Sequence, residues 1–225
     1  MSGVFIFHAH AATLPDQYSD VNKQLQVWND TPSMDSTSIA FSIGEVQYRV
    51  PRNYISWMDH WAGGPPTLVR FKVAFPGFEP LSEKNKPLSL APLYRPPGCV
   101  PLEFMIRAGG GGDPSDEEGF NNRRSLFHSQ KPLPGPSGFE LYETGPEDAR
   151  INTYRKRSSA HTLIIDCFPD KPEDGVKRDP VCSNHSRLPN GNVLVYHLYG
   201  DQLPSVEQMD EGFRALLQSF TVADR

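Results

Sequence analysis

The sequence has no uninterrupted run of about 18 apolar residues, the length that a membrane-spanning helix needs, so no such helix is written into its 225 residues. It also lacks a basic block. Arg155-Lys156-Arg157 is its longest basic run, and a net charge of -5 around so short a run excludes the clustered phosphate contacts of a nucleic-acid binder. None of its seven histidines pairs with another at the four-residue spacing of a metal-binding helix. There is no Gly-x-Ser-x-Gly elbow to raise a nucleophile. The glycine run Gly109 to Gly112 is followed not by Gly-Lys-Ser but by Asp113-Pro114-Ser115-Asp116-Glu117-Glu118, whose carboxylates repel a phosphate and lack the ligand spacing of a calcium loop. No cofactor, no metal and no catalytic residue is expected, and the chain reads as a non-enzyme.

Cysteine is scarce as well: Cys99, Cys167 and Cys182. The last two flank one polar loop between two strand-like runs, and in an oxidising compartment they are the natural pair. A loop of that length gives a bridge contributing about 3 kcal/mol in the chain-entropy description. Residues 2–12, an apolar run closing on Ala9-His10-Ala11, match the apolar stretch and small-residue cleavage site of a secretion signal. The expectation is a signal remnant over 1–12, then a single α+β domain over 13–225, exported to the periplasm.

What is plentiful is alternation. With 22 Pro and 18 Gly the loops should be long and stiff while staying below low-complexity levels. Tyr18, Val21, Leu25 and Trp28 recur at helical steps behind Pro15, which predicts an N-terminal helix to about Asn29. Ile39, Phe41 and Ile43, then Val46, Tyr48 and Val50, alternate around a turn at Gly44-Glu45 and predict a β-hairpin. Val69, Phe71, Val73 and Phe75 oppose Arg70 and Lys72, the pattern of a strand with one wet face. Leu102 to Arg107, Phe139 to Tyr142 and Thr162 to Phe168 follow as further strands. Val193 to Tyr199 is apolar on both faces and should lie centrally, covered on both sides. Ser205, with Gln208 at the capping-box position, opens a C-terminal helix whose stripe is Val206, Met209, Phe213, Leu216, Leu217 and Phe220. The fold class is α+β: a twisted antiparallel sheet, long proline-rich loops and a helix at either end of the chain.

Two stretches suggest a partner surface. Tyr54, Trp57, Met58 and Trp61 recur at steps of three and four and predict a short amphipathic helix; exposed beside Gly63-Gly64-Pro65-Pro66, Trp57 and Trp61 could instead anchor an interface. Asp113, Asp116, Glu117 and Glu118 form an acidic tip suited to a basic partner. Asn29-Asp30-Thr31 and Asn184-His185-Ser186 match the glycosylation pattern. A dispersed hydrolase site drawing on His161, Asp166, His197 and one of the many serines remains an alternative, as does a structural subunit of an envelope assembly.

Phe41-Ser42-Ile43-Gly44, Val50-Pro51-Arg52-Asn53-Tyr54-Ile55, Gly63-Gly64 and Phe75-Pro76-Gly77-Phe78-Glu79-Pro80-Leu81 resemble small exported proteobacterial proteins, some of them immunity proteins for type VI secretion toxins, including the lipase effectors. The resemblance spans about the first third of the chain and a final strand and helix, and its motifs are structural ones. It implies a periplasmic protein that binds and blocks a cognate effector, with no active site of its own.

Overall fold

A computed structural model describes residues 33–59, 65–85, 100–109, 117–157, 161–168 and 180–222, all within one compact unit, 33–225. The anticipated signal remnant, the N-terminal helix, Cys99, Trp61, Asp113 and Asp116 lie outside the described residues.

The hairpin forms where alternation places it. β1 (Ser38–Ile43) pairs with β2 (Val46–Pro51), with Phe41 opposite Tyr48 and Gly44 at φ 58° in the turn. Its core-facing set, Phe41, Ile43, Tyr48 and Val50, is buried. The remaining strands are β3 (Ile55–Met58), β4 (Leu68–Phe75), β5 (Val100–Arg107), β6 (Leu133–Pro134), β7 (Glu140–Thr144), β8 (Ile151–Arg157), β9 (Thr162–Phe168), β10 (Val181–Arg187) and β11 (Val193–Tyr199). They make one antiparallel sheet in the order β3-β4-β5-β11-β10-β9-β8-β7-β6. Helix α1 (Glu117–Arg123) precedes β6, and α2 (Val206–Phe220) closes the fold.

Helix α2 covers one sheet face with the stripe that helical spacing predicts. Val206, Met209, Phe213, Leu217 and Phe220 are buried, and Leu216 packs at the margin. Phe213 stacks on Phe104 at 4.4 Å between ring centroids, and Phe104 stacks on Phe71 at 4.8 Å. Burial of six such side chains contributes roughly 10 to 15 kcal/mol before chain entropy is set against it. Phe78, at φ 54° in the turn after β4, meets Phe213 edge-on at 5.6 Å and sets the tip of its ring against Gly212, where a Cβ would strike it. The motif from Phe75 to Leu81 is thus a packing device that seats α2.

Four expectations need correction. Ser205 makes no side-chain cap, because the chain is already wound as a 3₁₀ turn over Gly200–Ser205; Gln202 instead accepts the Tyr199 N–H at 2.8 Å. Tyr54 to Met58 is not helical. Its three-and-four spacing is outweighed by sheet pairing: Ile55 to Met58 adds to the edge of β4, with a register shift between Ile55 and Trp57. Strand β11 is buried on both faces only from Val193 to Tyr196, while His197 and Tyr199 are exposed. Asn184 is fully buried in β10 and donates to the Ile164 carbonyl at 2.8 Å, which removes it as a glycosylation acceptor.

A second, smaller core sits on the other face at the β7–β9 end, where Phe120 of α1 and Phe127 cover Tyr142 and Ile164. Arg155 lies over the Phe120 ring at 4.4 Å.

Candidate functional site: the open sheet face

Directly opposed residues in an antiparallel ladder share a face, so the registers show what this second face presents. One row crosses the sheet as Trp57, Arg70, Met105 and Val195, and the next as Lys72 opposite Glu103. A third crosses β9, β10 and β11 as Phe168, Val181 and Tyr199, which remain 45%, 47% and 38% exposed. Three large apolar side chains side by side at the end of three strands form a patch that a folded surface seldom leaves uncovered. Beside them a concavity of about 380 Å³ opens among Arg70, Glu103, Met105, Val181 and His197. Among the described residues no helix covers this part of the face.

The disulfide fixes that corner. Cys167 and Cys182 stand opposite each other on β9 and β10 and are bonded, as their spacing predicts. Both point into the main core, one position along from Phe168 and Val181. The bridge therefore pins the register that presents the apolar row.

The face carries mixed charge. Lys72 reaches Glu103 at 3.8 Å, and the Arg70 guanidinium stands 6.0 Å from the Trp57 ring. The Nε of Arg70 is buried without a hydrogen-bond partner among the described residues. Burial, and then the Arg70 charge, push the His197 imidazole below its ordinary range, so it is neutral at neutral pH.

The residues proposed as an acidic tip divide. Glu118 is exposed, whereas Glu117 is bound into the fold: Arg155 donates to it at both carboxylate oxygens and Arg157 reaches it at 2.8 Å. Burial raises the Glu117 carboxyl, but those two arginines outweigh it and hold it below the usual range. His161 and Asp166 do not meet. Asp166 accepts from Thr153 at 2.7 Å and Arg123 at 2.8 Å, while His161 pairs with Asp210.

That last pair belongs to a buried network invisible to motif reading. Asp210 of α2 is 1% exposed; it meets His161 Nε2 at 2.7 Å and accepts from Arg214 Nε at 2.6 Å and the Tyr196 hydroxyl at 3.1 Å. Arg214 also donates to Ser186. Burial alone raises the Asp210 carboxyl; the His161 hydrogen bond and the Arg214 charge prevail and lower it. Tyr196, desolvated and facing that carboxylate, is pushed well above its ordinary value. Arg214 and His161 open on a cleft of about 680 Å³ between the hairpin, the β10–β11 turn and α2.

No protein-family model matches this sequence, and no curated protein matches it. In fold it is similar to the iron-regulated outer membrane lipoprotein FrpD of Neisseria meningitidis, with a TM-score of 0.56 and 16% identity over 85% of this chain and 97% of that one. It is equally similar to an immunity protein of the Stenotrophomonas maltophilia type IV secretion system, with a TM-score of 0.56 and 13% identity over 84% and 94%. At these identities the likeness is one of fold.

Proposed function

We propose that this protein is an exported immunity-type inhibitor that binds a cognate secreted effector through the open sheet face and blocks it. The observation that carries the reading is the exposed row Phe168, Val181 and Tyr199, held in register by a buried disulfide and adjoining a concavity lined by Arg70, whose guanidinium stands 6.0 Å from the Trp57 ring. Aromatic and arginine side chains around an apolar centre are the usual composition of protein-binding hot spots. A disulfide between buried strands suits an oxidising compartment, which supports a periplasmic location. The sequence resemblance to type VI immunity proteins and the fold likeness to a type IV one share the effector-neutralising role and differ in the secretion system, so the reading is made at the level of that role.

Co-expression with the product of each neighbouring gene tests it. A stoichiometric complex, together with rescue of cells from that product's toxicity, is expected. A stable complex with none of them ends the reading.

A further inference from the structure

We propose that the concavity on the open sheet face is a carboxylate-receiving pocket, and that the cognate effector docks by laying an acidic side chain on Arg70. The identity of the partner rests on the effector-binding reading; the chemistry of the pocket rests on the residues that line it. Arg70 stands on β4, between Trp57 of β3 and Met105 of β5. Its Nε is buried without a hydrogen-bond partner among the described residues, and the side chain opposite it on β5 is the thioether of Met105, a weak acceptor. The Trp57 ring, 6.0 Å away, attracts the cation without neutralising it.

The charges around it leave that cation in excess. Glu103 is the carboxylate lining the concavity, and it reaches Lys72 at 3.8 Å, so two cations face one anion. His197, neutral at neutral pH, adds no charge of either sign. A half-buried guanidinium presents its donors as a rigid fork, which a carboxylate meets with two parallel hydrogen bonds and a hydroxyl meets with one. Met105 and Val181 supply apolar lining, and a volume of about 380 Å³ lies near the lower end of small-molecule sites, the scale of an inserted side chain. An acidic side chain with an apolar neighbour on the effector surface therefore matches both the free charge of Arg70 and the adjoining row Phe168, Val181 and Tyr199.

Phenylbutyrate titrated into the purified chain, followed by the Trp57 indole and His197 imidazole resonances, tests the chemistry without a partner. It is expected to bind about tenfold or more tighter than phenylbutanol at matched ionic strength, because only the carboxylate engages the fork with charge. Phenylbutylamine, of like charge to Arg70, should bind more weakly still. Arg70→Gln should erase the preference for the acid over the alcohol. Should that variant melt early, Met105→Glu sets an internal carboxylate directly across the ladder from Arg70 and should erase the preference equally. Equal binding of acid and alcohol to the native chain, or an undiminished preference in whichever variant folds, overturns the proposal. With the cognate effector, Arg70→Glu should weaken the complex about a hundredfold, and changing one acidic residue of the effector to Lys should restore affinity for that variant. A complex indifferent to Arg70→Glu overturns the acidic contact and leaves the effector-binding reading intact. An acid preference that depends on Arg70, in a chain that binds no effector, keeps the pocket and removes that reading, so the two failures are told apart.

Discussion

Asp210 is an ionised carboxylate at 1% exposure, and its three partners are what make it tolerable there. Replacing it with Asn removes the carboxylate that pairs with Arg214 and bonds to His161 and Tyr196, and the expected loss is about 3 to 5 kcal/mol, read from urea denaturation at neutral pH. The pH dependence follows from the direction of its shift. Its folded pKa lies below the ordinary carboxylate value, so its stabilisation is complete above that value and disappears as pH falls through the lowered one. Urea midpoints measured from about pH 5 down to about pH 2 should therefore fall more steeply for the native chain than for Asp210→Asn. Parallel curves would remove Asp210 from the acid limb. The sequence held a signal for this residue: Asp210 sits four positions after Val206 and one after Met209, inside the buried stripe, with Arg214 a further turn on. A carboxylate on the apolar face of a helix must find a partner, but His161, just ahead of β9, and Tyr196 of β11 come from segments that only the tertiary fold brings there.

Among the elements, α2 and the β9–β10 pair carry separable shares of stability. Gly212→Ala drives a methyl group into the Phe78 ring, which Phe75 at 5.7 Å and Phe213 at 5.6 Å hold in place. Overpacking of that kind costs about 1 to 3 kcal/mol, and the companion Phe78→Ala should restore part of it if the clash is the cause. Removal of the disulfide by Cys167→Ser with Cys182→Ser is expected to cost about 3 kcal/mol, seen as a lower urea midpoint that reductant no longer changes. Strands announced by strict alternation were legible to within a residue or two, as β2 and β4 show, because the period of two survives any tertiary arrangement. The segment from Tyr54 to Met58 was not. Its apolar spacing fits a helix turn, and only the availability of the β4 edge, together with the bulge that turns Trp57 toward Arg70, makes it a strand. The helix cap failed for a related reason, since a 3₁₀ turn upstream had already satisfied the entry.

At the scale of the whole molecule, the decisive contact is β5 against β11, which sets the last described strand, already paired with its sequence neighbour β10, beside a segment some ninety residues earlier in the chain. No local pattern encodes that neighbour. Alternation told which residues of Val69 to Phe75 face outward, but the assembly of Trp57, Arg70, Met105 and the row Phe168, Val181 and Tyr199 into one surface depends on strand order. The same order makes core and surface experimentally distinct. Phe213 lies at the centre of the covered face, so Phe213→Ala should cost about 3 to 5 kcal/mol and reduce effector binding only through lost folded protein. Trp57→Ala combined with Val181→Arg alters the open face alone; away from the core its effect on stability should stay within about 1 kcal/mol, while the affinity for an effector falls by a hundredfold or so. Calorimetric melting and surface-plasmon titration of the two variants separate the cases. If the double variant binds as the native chain does while still melting normally, the docking face lies elsewhere, and the cleft at Arg187 and Arg214 becomes the first surface to examine.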